Sequence, residues 1–155
     1  MNLTEHFTYE EAIFSQTAIR MDIDNTPSLN TLVSMVHTAI KMEEVRSLLR
    51  DLPITITSWY RSPKINAALG SKATSQHILG LAVDFICPAF GSVHQICTKL
   101  VQEIETLQFD QLISEGTWVH ISFLRIPNTV SRKEVLTYQK DGKYVIGLYE
   151  LSNAH

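Results

Sequence analysis

The run Ser75-Gln76-His77-Ile78-Leu79-Gly80-Leu81-Ala82-Val83-Asp84 restricts this chain more than any other segment. A polar loop over 71–76 delivers His77, Gly80 breaks that loop, and 81–87 then reads as a strand. Side chains alternate between the faces of a strand. Leu81, Val83 and Phe85 therefore share one face, and Ala82, Asp84 and Ile86 share the other. Asp84 is expected beside small Ala82, on a face with room for a metal and a substrate.

A second stretch, Glu115-Gly116-Thr117-Trp118-Val119-His120, answers the first about thirty residues on. Segments 109–115 and 118–124 predict a hairpin, because Gly116-Thr117 fits a two-residue turn with glycine first. That register sets Glu115 opposite Trp118 and Ile113 opposite His120, so Glu115, Trp118 and His120 share one face. Leu112, Val119, Ile121 and Phe123 fall on the core face. A slip of one residue would reverse every side chain.

The remaining pattern predicts one α+β domain over residues 1–155, with helices packed on a small, mostly antiparallel sheet. Residues 1–25 read as a docking segment in which Phe7, Ala12, Ile13 and Phe14 cover a core edge and Glu10 and Glu11 are solvated. Asp22-Ile23-Asp24 lacks the glycine and the closing glutamate of a calcium loop, which leaves a plain turn. Thr26 as N-cap and Pro27 as first helical residue open the longest helix. Its expected core stripe is Leu29, Leu32, Val33, Val36, Ala39, Ile40, Val45, Leu48 and Leu49, with His37 beside it as a structural or surface histidine.

A strand over 54–58 follows, then a short helix over 64–69 closed by Gly70. Ser92 caps a helix whose expected stripe is Val93, Ile96, Cys97, Leu100, Val101 and Ile104, with His94 off that stripe and exposed. After Pro127, residues 133–150 predict a closing hairpin around a type I′ turn at Asp141-Gly142. Cys87 and Cys97 sit in no zinc-ligand spacing and read as buried free thiols rather than a disulfide.

A net charge of -3 and a pI near 6.0 argue against nucleic acid as the main partner. No apolar run is long enough to cross a bilayer, so no membrane insertion is expected. Residues 1–6 do not form a signal peptide, which predicts synthesis in a cytoplasm. A monomer is expected.

Two imidazoles and one carboxylate, with one position left open, suit a hydrolytic zinc site, and Glu115 adds a spare carboxylate. Composition and spacing alone reach only a possible metal site. Ser75-x-His77-x-x-Gly80-x-Ala82-x-Asp84 with Trp118-x-His120 downstream resembles the zinc D-Ala-D-Ala carboxypeptidase and L-alanyl-D-glutamate endopeptidase family, of the hedgehog/DD-peptidase fold, which includes many phage endolysins. Upstream, residues 54–63 are similar to the family's strand-plus-arginine segment, and Asn66, Gly70 and Ser71 fit as well. The likeness spans about Phe7 to Phe123.

The resemblance implies Zn2+ held by His77, Asp84 and His120, a peptidoglycan peptide as substrate, and action on the cell wall after release. Glu115 is the expected general base; a solvated turn glutamate is the plainer alternative. Arg61 is expected to bind an oxyanion or a substrate carboxylate, the alternative being a salt bridge at a strand end. Ser75, Gln76 and Trp118 are further candidates for substrate contact. Two departures stand out. Trp59 replaces a frequent glycine and has the bulk to narrow the cleft. Thr117 stands where many members carry the catalytic glutamate, which leaves a non-catalytic zinc-bound recognition or structural module as the rival reading.

Overall fold

The computed structural model describes residues 1–125 and 129–150. The chain runs through helices α1 (Tyr9–Ile13), α2 (Gln16–Met21) and α3 (Leu29–Leu48), strand β1 (Thr55–Ser58), helix α4 (Pro63–Ala68) and strand β2 (Ala82–Ile86). Helices α5 (Val93–Gln102) and α6 (Ile104–Leu107) follow, then strands β3 (Gln111–Ser114), β4 (Val119–Ser122), β5 (Glu134–Tyr138) and β6 (Tyr144–Ile146). The strands form one sheet in the order β1-β2-β4-β3-β5-β6. Every pair is antiparallel except β3–β5. The architecture is α+β, as expected.

The hairpin register is the expected one. Ile113 lies opposite His120, and the Glu115 N–H donates to the Trp118 carbonyl at 3.1 Å. Gly116 takes φ 91°, which a Cβ would resist. Carried across all six strands, the registers place Ser58, Asp84, His120, Ile113, Leu136 and Ile146 in a single row. The opposite parity on the central strands supplies Val83, Phe85, Leu112, Val119 and Ile121, all buried against the helices.

The long helix departs from its expected start and face. Ser28, not Thr26, is the N-cap, its Oγ accepting from the Thr31 N–H at 3.2 Å. Thr26 instead donates its hydroxyl to Asp24 at 2.7 Å, which draws it into the preceding turn. The buried face is Met35, Thr38, Ala39, Met42, Val45 and Leu49, while Leu29, Val33 and Ile40 are exposed. Apolar residues on both flanks make the pattern ambiguous, and Met35 fills the side pressed by Gly80 of the loop before β2.

Three smaller expectations also give way. Phe14 is exposed just beyond α1 rather than covering the core. His94 is half-buried on α5 rather than exposed. The closing hairpin turns through three residues, Lys140-Asp141-Gly142, not two. The Gly142 N–H donates to the Gln139 carbonyl, Lys143 donates to Asp141 Oδ1, and Gly142 takes φ 83°. Pro127 and residues 151–155, which the sequence reading includes in the domain, lie outside the described residues. Cys87 and Cys97 are free and buried, and burial pushes the Cys97 thiol up to about 12.

Candidate metal centre

His77 is held from three sides. Ser75 Oγ accepts from its backbone N–H at 3.3 Å, and its carbonyl receives the N–H groups of Arg61 and Gly80, both at 3.2 Å. Its Nδ1 lies 2.6 Å from the Trp59 carbonyl oxygen. A carbonyl only accepts, so Nδ1 carries the proton and Nε2 keeps its lone pair. That Nε2 sits 3.3 Å from Asp84 Oδ2. On the other side, His120 Nδ1 lies 2.8 Å from Asp84 Oδ1, following from the β2–β4 register that sets the two residues opposite each other.

Ligand atoms of His77, Asp84 and His120 all lie within 4.8 Å of one another. Donors around a tetrahedral zinc stand roughly 3.3–3.6 Å apart, given bonds of about 2.0–2.2 Å. The carboxylate–imidazole contacts of 2.8 and 3.3 Å are close to that spacing, so modest side-chain adjustment would complete the set. The protonation states suit a cation as well. Burial pushes the His77 imidazole down, against the pull of Asp84. Burial works to raise the Asp84 carboxyl, but contacts with His77 and His120 outweigh it and hold the group well below the usual carboxylate range. A neutral imidazole and an ionised carboxylate are the ligand forms a divalent metal takes.

Trp59 does not narrow the cleft. Its ring is fully buried, edge-on to Phe7 with centroids 6.4 Å apart, and its Nε1 donates to the Gly80 carbonyl at 3.0 Å. Thr38 Oγ1 donates to the same carbonyl at 2.9 Å. Gly80 itself, at φ 71°, presses so closely on α3 that a Cβ would stand 2.6 Å from Met35 Cγ. The bulky ring thus builds the floor under His77: it anchors the glycine that ends the loop, while its backbone fixes the imidazole.

Arg61 spreads its fork over three partners. Nε donates to Ser58 Oγ at 3.1 Å, Nη1 to Ser71 Oγ at 3.3 Å and Nη2 to Asp84 Oδ2 at 3.4 Å. Burial pulls the guanidinium down from its ordinary value, opposed by Asp84. The neighbouring backbone is pinned by buried Asn25, whose amide bonds the Tyr60 carbonyl and the Ser62 N–H. Gln76 spends both ends of its amide on scaffold: Nε2 donates to Asp110 Oδ2 at 3.1 Å, and Oε1 accepts from Arg132 at 3.5 Å.

These groups line a cleft of about 730 Å³, within the range of small-molecule pockets. Glu115 and half-exposed Trp118 enter it from the β3–β4 turn, and Leu136 and Tyr144 from the closing hairpin. Burial pushes the Glu115 carboxyl above its ordinary value; Asp84 adds to this, while His120 and Tyr144 oppose it. The Tyr144 hydroxyl stands 3.3 and 3.5 Å from the two Glu115 oxygens.

Sequence reasoning missed Tyr144, Asp110, Arg132 and the Ser58 hydroxyl, and named Ser71 only as part of the family likeness, without its contact to Arg61. Nothing in the local pattern couples Tyr144 to the site, since only the parallel β3–β5 pairing brings its hairpin there. Ser71 had a weak signal, lying in the polar loop that precedes His77.

No curated protein matches the chain. A family model described as Peptidase M15 matches residues 5–122, a span that takes in Arg61, His77, Asp84, Glu115 and His120 and stops before β5. With more than half of the chain covered by that model, the protein belongs to the peptidase M15 family of metallopeptidases, the group of the zinc D-Ala-D-Ala carboxypeptidases.

Proposed function

We propose that this chain is a zinc peptidase hydrolysing peptidoglycan stem peptides, as a D,D-carboxypeptidase or as an L-Ala–D-Glu or cross-link endopeptidase, in the role of a phage or prophage endolysin. One observation carries the reading: in a chain of the M15 family, His77, Asp84 and His120 converge beside a half-buried glutamate in an open cleft. On this reading those three residues hold the metal. A zinc ion there supplies Lewis acidity and brings the pKa of water toward neutrality.

Glu115 takes the proton of the attacking water and returns it to the leaving amine. A carboxylate raised above its ordinary pKa is a better match for proton transfer near neutral pH than an exposed one. Arg61 binds the developing oxyanion or a substrate carboxylate, for which its planar fork is suited. Trp118 lines the substrate side. Ser75, whose Oγ accepts from the His77 N–H, and Gln76, whose amide bonds Asp110, position the loop that carries His77 and line the cleft where the peptide would lie.

A second reading, a metal-bound module that recognises a wall fragment without cutting it, is favoured by Thr117 at the family's usual glutamate position. Incubation of the zinc-loaded protein with cell-wall sacculi separates the two. Hydrolysis releases new amino groups, and Glu115→Ala is expected to keep its zinc while losing turnover by orders of magnitude. No release from the wild type would establish the recognition module; full activity in Glu115→Ala would remove Glu115 as base.

A further inference from the structure

The family match ends at residue 122, but the cleft extends beyond it. Strands β5 and β6 extend the sheet on the far side of β3, and their cleft-facing parity carries Leu136 and Tyr144. We propose that Tyr144 is a positioning residue for Glu115, its hydroxyl holding the carboxylate turned into the cleft, so that a hairpin outside the family match is a working part of the site. The inference rests on the reading of Glu115 as general base.

The hydroxyl reaches both carboxylate oxygens, at 3.3 and 3.5 Å. The single hydroxyl proton is shared between the two oxygens at distances longer than an optimal O–H···O bond, a contact that biases the carboxylate's otherwise broad terminal torsion. The ring that carries the hydroxyl is itself fixed. Tyr144 pairs with Tyr138 across the hairpin, and the two rings lie 5.1 Å apart. The hairpin is closed at its open end by the Thr137 hydroxyl on the Gly147 carbonyl at 2.9 Å and by the Gly147 N–H on the Val135 carbonyl at 2.8 Å. Four consecutive residue pairs join β5 to β3, the strand that leads directly into Glu115.

Tyr144 is 51% exposed, and among the described residues the Glu115 carboxylate is the group its hydroxyl bonds. The hydroxyl also keeps its proton. Burial, then the charge of Glu115, pushes its pKa up to about 12, so it is a donor throughout the working range. A donor favours the ionised carboxylate. It works with His120 and against burial and Asp84, the other influences on Glu115 from the strands around it.

The test is Tyr144→Phe in the full, zinc-loaded chain, assayed on soluble muropeptides. We expect kcat to fall on the order of tenfold with KM unchanged, and the acid limb of the pH profile to move to higher pH. Zinc affinity by chelator competition and the melting temperature should not change. In a Glu115→Gln background the same substitution should have no further effect. An unchanged kcat and acid limb, with Glu115→Gln inactive, would overturn the positioning role and leave the base intact. Activity retained in Glu115→Gln would instead strike the reading of Glu115. A loss of zinc affinity or thermal stability in step with the rate would assign the hydroxyl to structure and overturn the proposal as well.

Discussion

The two ends of the six-residue row differ in kind. Ser58, Asp84 and His120 on β1, β2 and β4 form a charged end, roofed by Arg61 and His77 and largely withdrawn from water. Ile113, Leu136 and Ile146 on β3, β5 and β6 form an apolar end that opens outward until Ile146 is 84% exposed. Adjacent strands lie about 4.8 Å apart, so Leu136 stands only about 10 Å across the sheet from His120. The row thus places a polar centre and an apolar shelf about 10 Å apart, the span of roughly three extended residues. The charged end lies wholly inside the family match; two of the three apolar positions lie outside it. The contrast teaches that the segment carrying the candidate ligands and a segment lining the same cleft are separable in sequence while continuous in the sheet.

Removing the anchor of the charged end should have the largest effect. Asp84→Ala deletes the carboxylate that faces both imidazoles and Arg61, so zinc affinity and peptide hydrolysis should each fall by orders of magnitude. Elemental analysis and the amino-group assay check this, and a variant that still held stoichiometric zinc would show that the row's polar end is not the metal site. Arg61→Ala comes next, at roughly a hundredfold in kcat/KM with zinc retained. Arg61→Lys should recover little of that, because a single ammonium cannot reproduce a fork spread over Ser58, Ser71 and Asp84.

The sequence was most legible where local rules suffice. The parity of 81–87 sets Asp84 opposite the core face, and a glycine-first turn sets the β3–β4 register, but bringing His77, Asp84 and His120 into one site rests on the family resemblance, because no local signal announces the β2–β4 pairing that sets Asp84 opposite His120. The apolar end had no such guide. Its placement depends on a parallel pairing between β3 and β5, which are not consecutive in the chain, and parallel partners are not announced by a turn. Trp59 misled for a related reason: its bulk was legible, but its direction depends on Gly80 and α3, which only packing brings together. The face of α3 was ambiguous because apolar residues occupy more of its circumference than the core covers.

The smallest expected effect lies at the clasp between the two ends. Asp110, just before β3, accepts from the Arg132 backbone N–H at 2.9 Å and from its guanidinium at 2.7 and 3.0 Å, while Gln76, next to His77, donates to the same carboxylate. Its own carbonyl receives the Glu134 N–H. One buried side chain therefore ties the loop that carries His77 to the hairpin. Burial pushes the Asp110 carboxyl up, but the Arg132 hydrogen bonds outweigh it and hold the group below its usual range. A lowered folded pKa means that the stabilisation is present above the unfolded value, about 3.9, and is lost as pH falls through the folded value. Arg132 is half-exposed, and solvent screening discounts the pair. Asp110→Asn should thus cost only about 1 kcal/mol at neutral pH, with a severalfold loss of activity as the hairpin loosens against β3. In urea unfolding the gap between wild type and variant should narrow once the pH drops below the carboxylate range. A gap that stayed constant down to low pH would mean the clasp works through shape rather than charge, and the two ends would then be joined by the β3–β5 ladder alone.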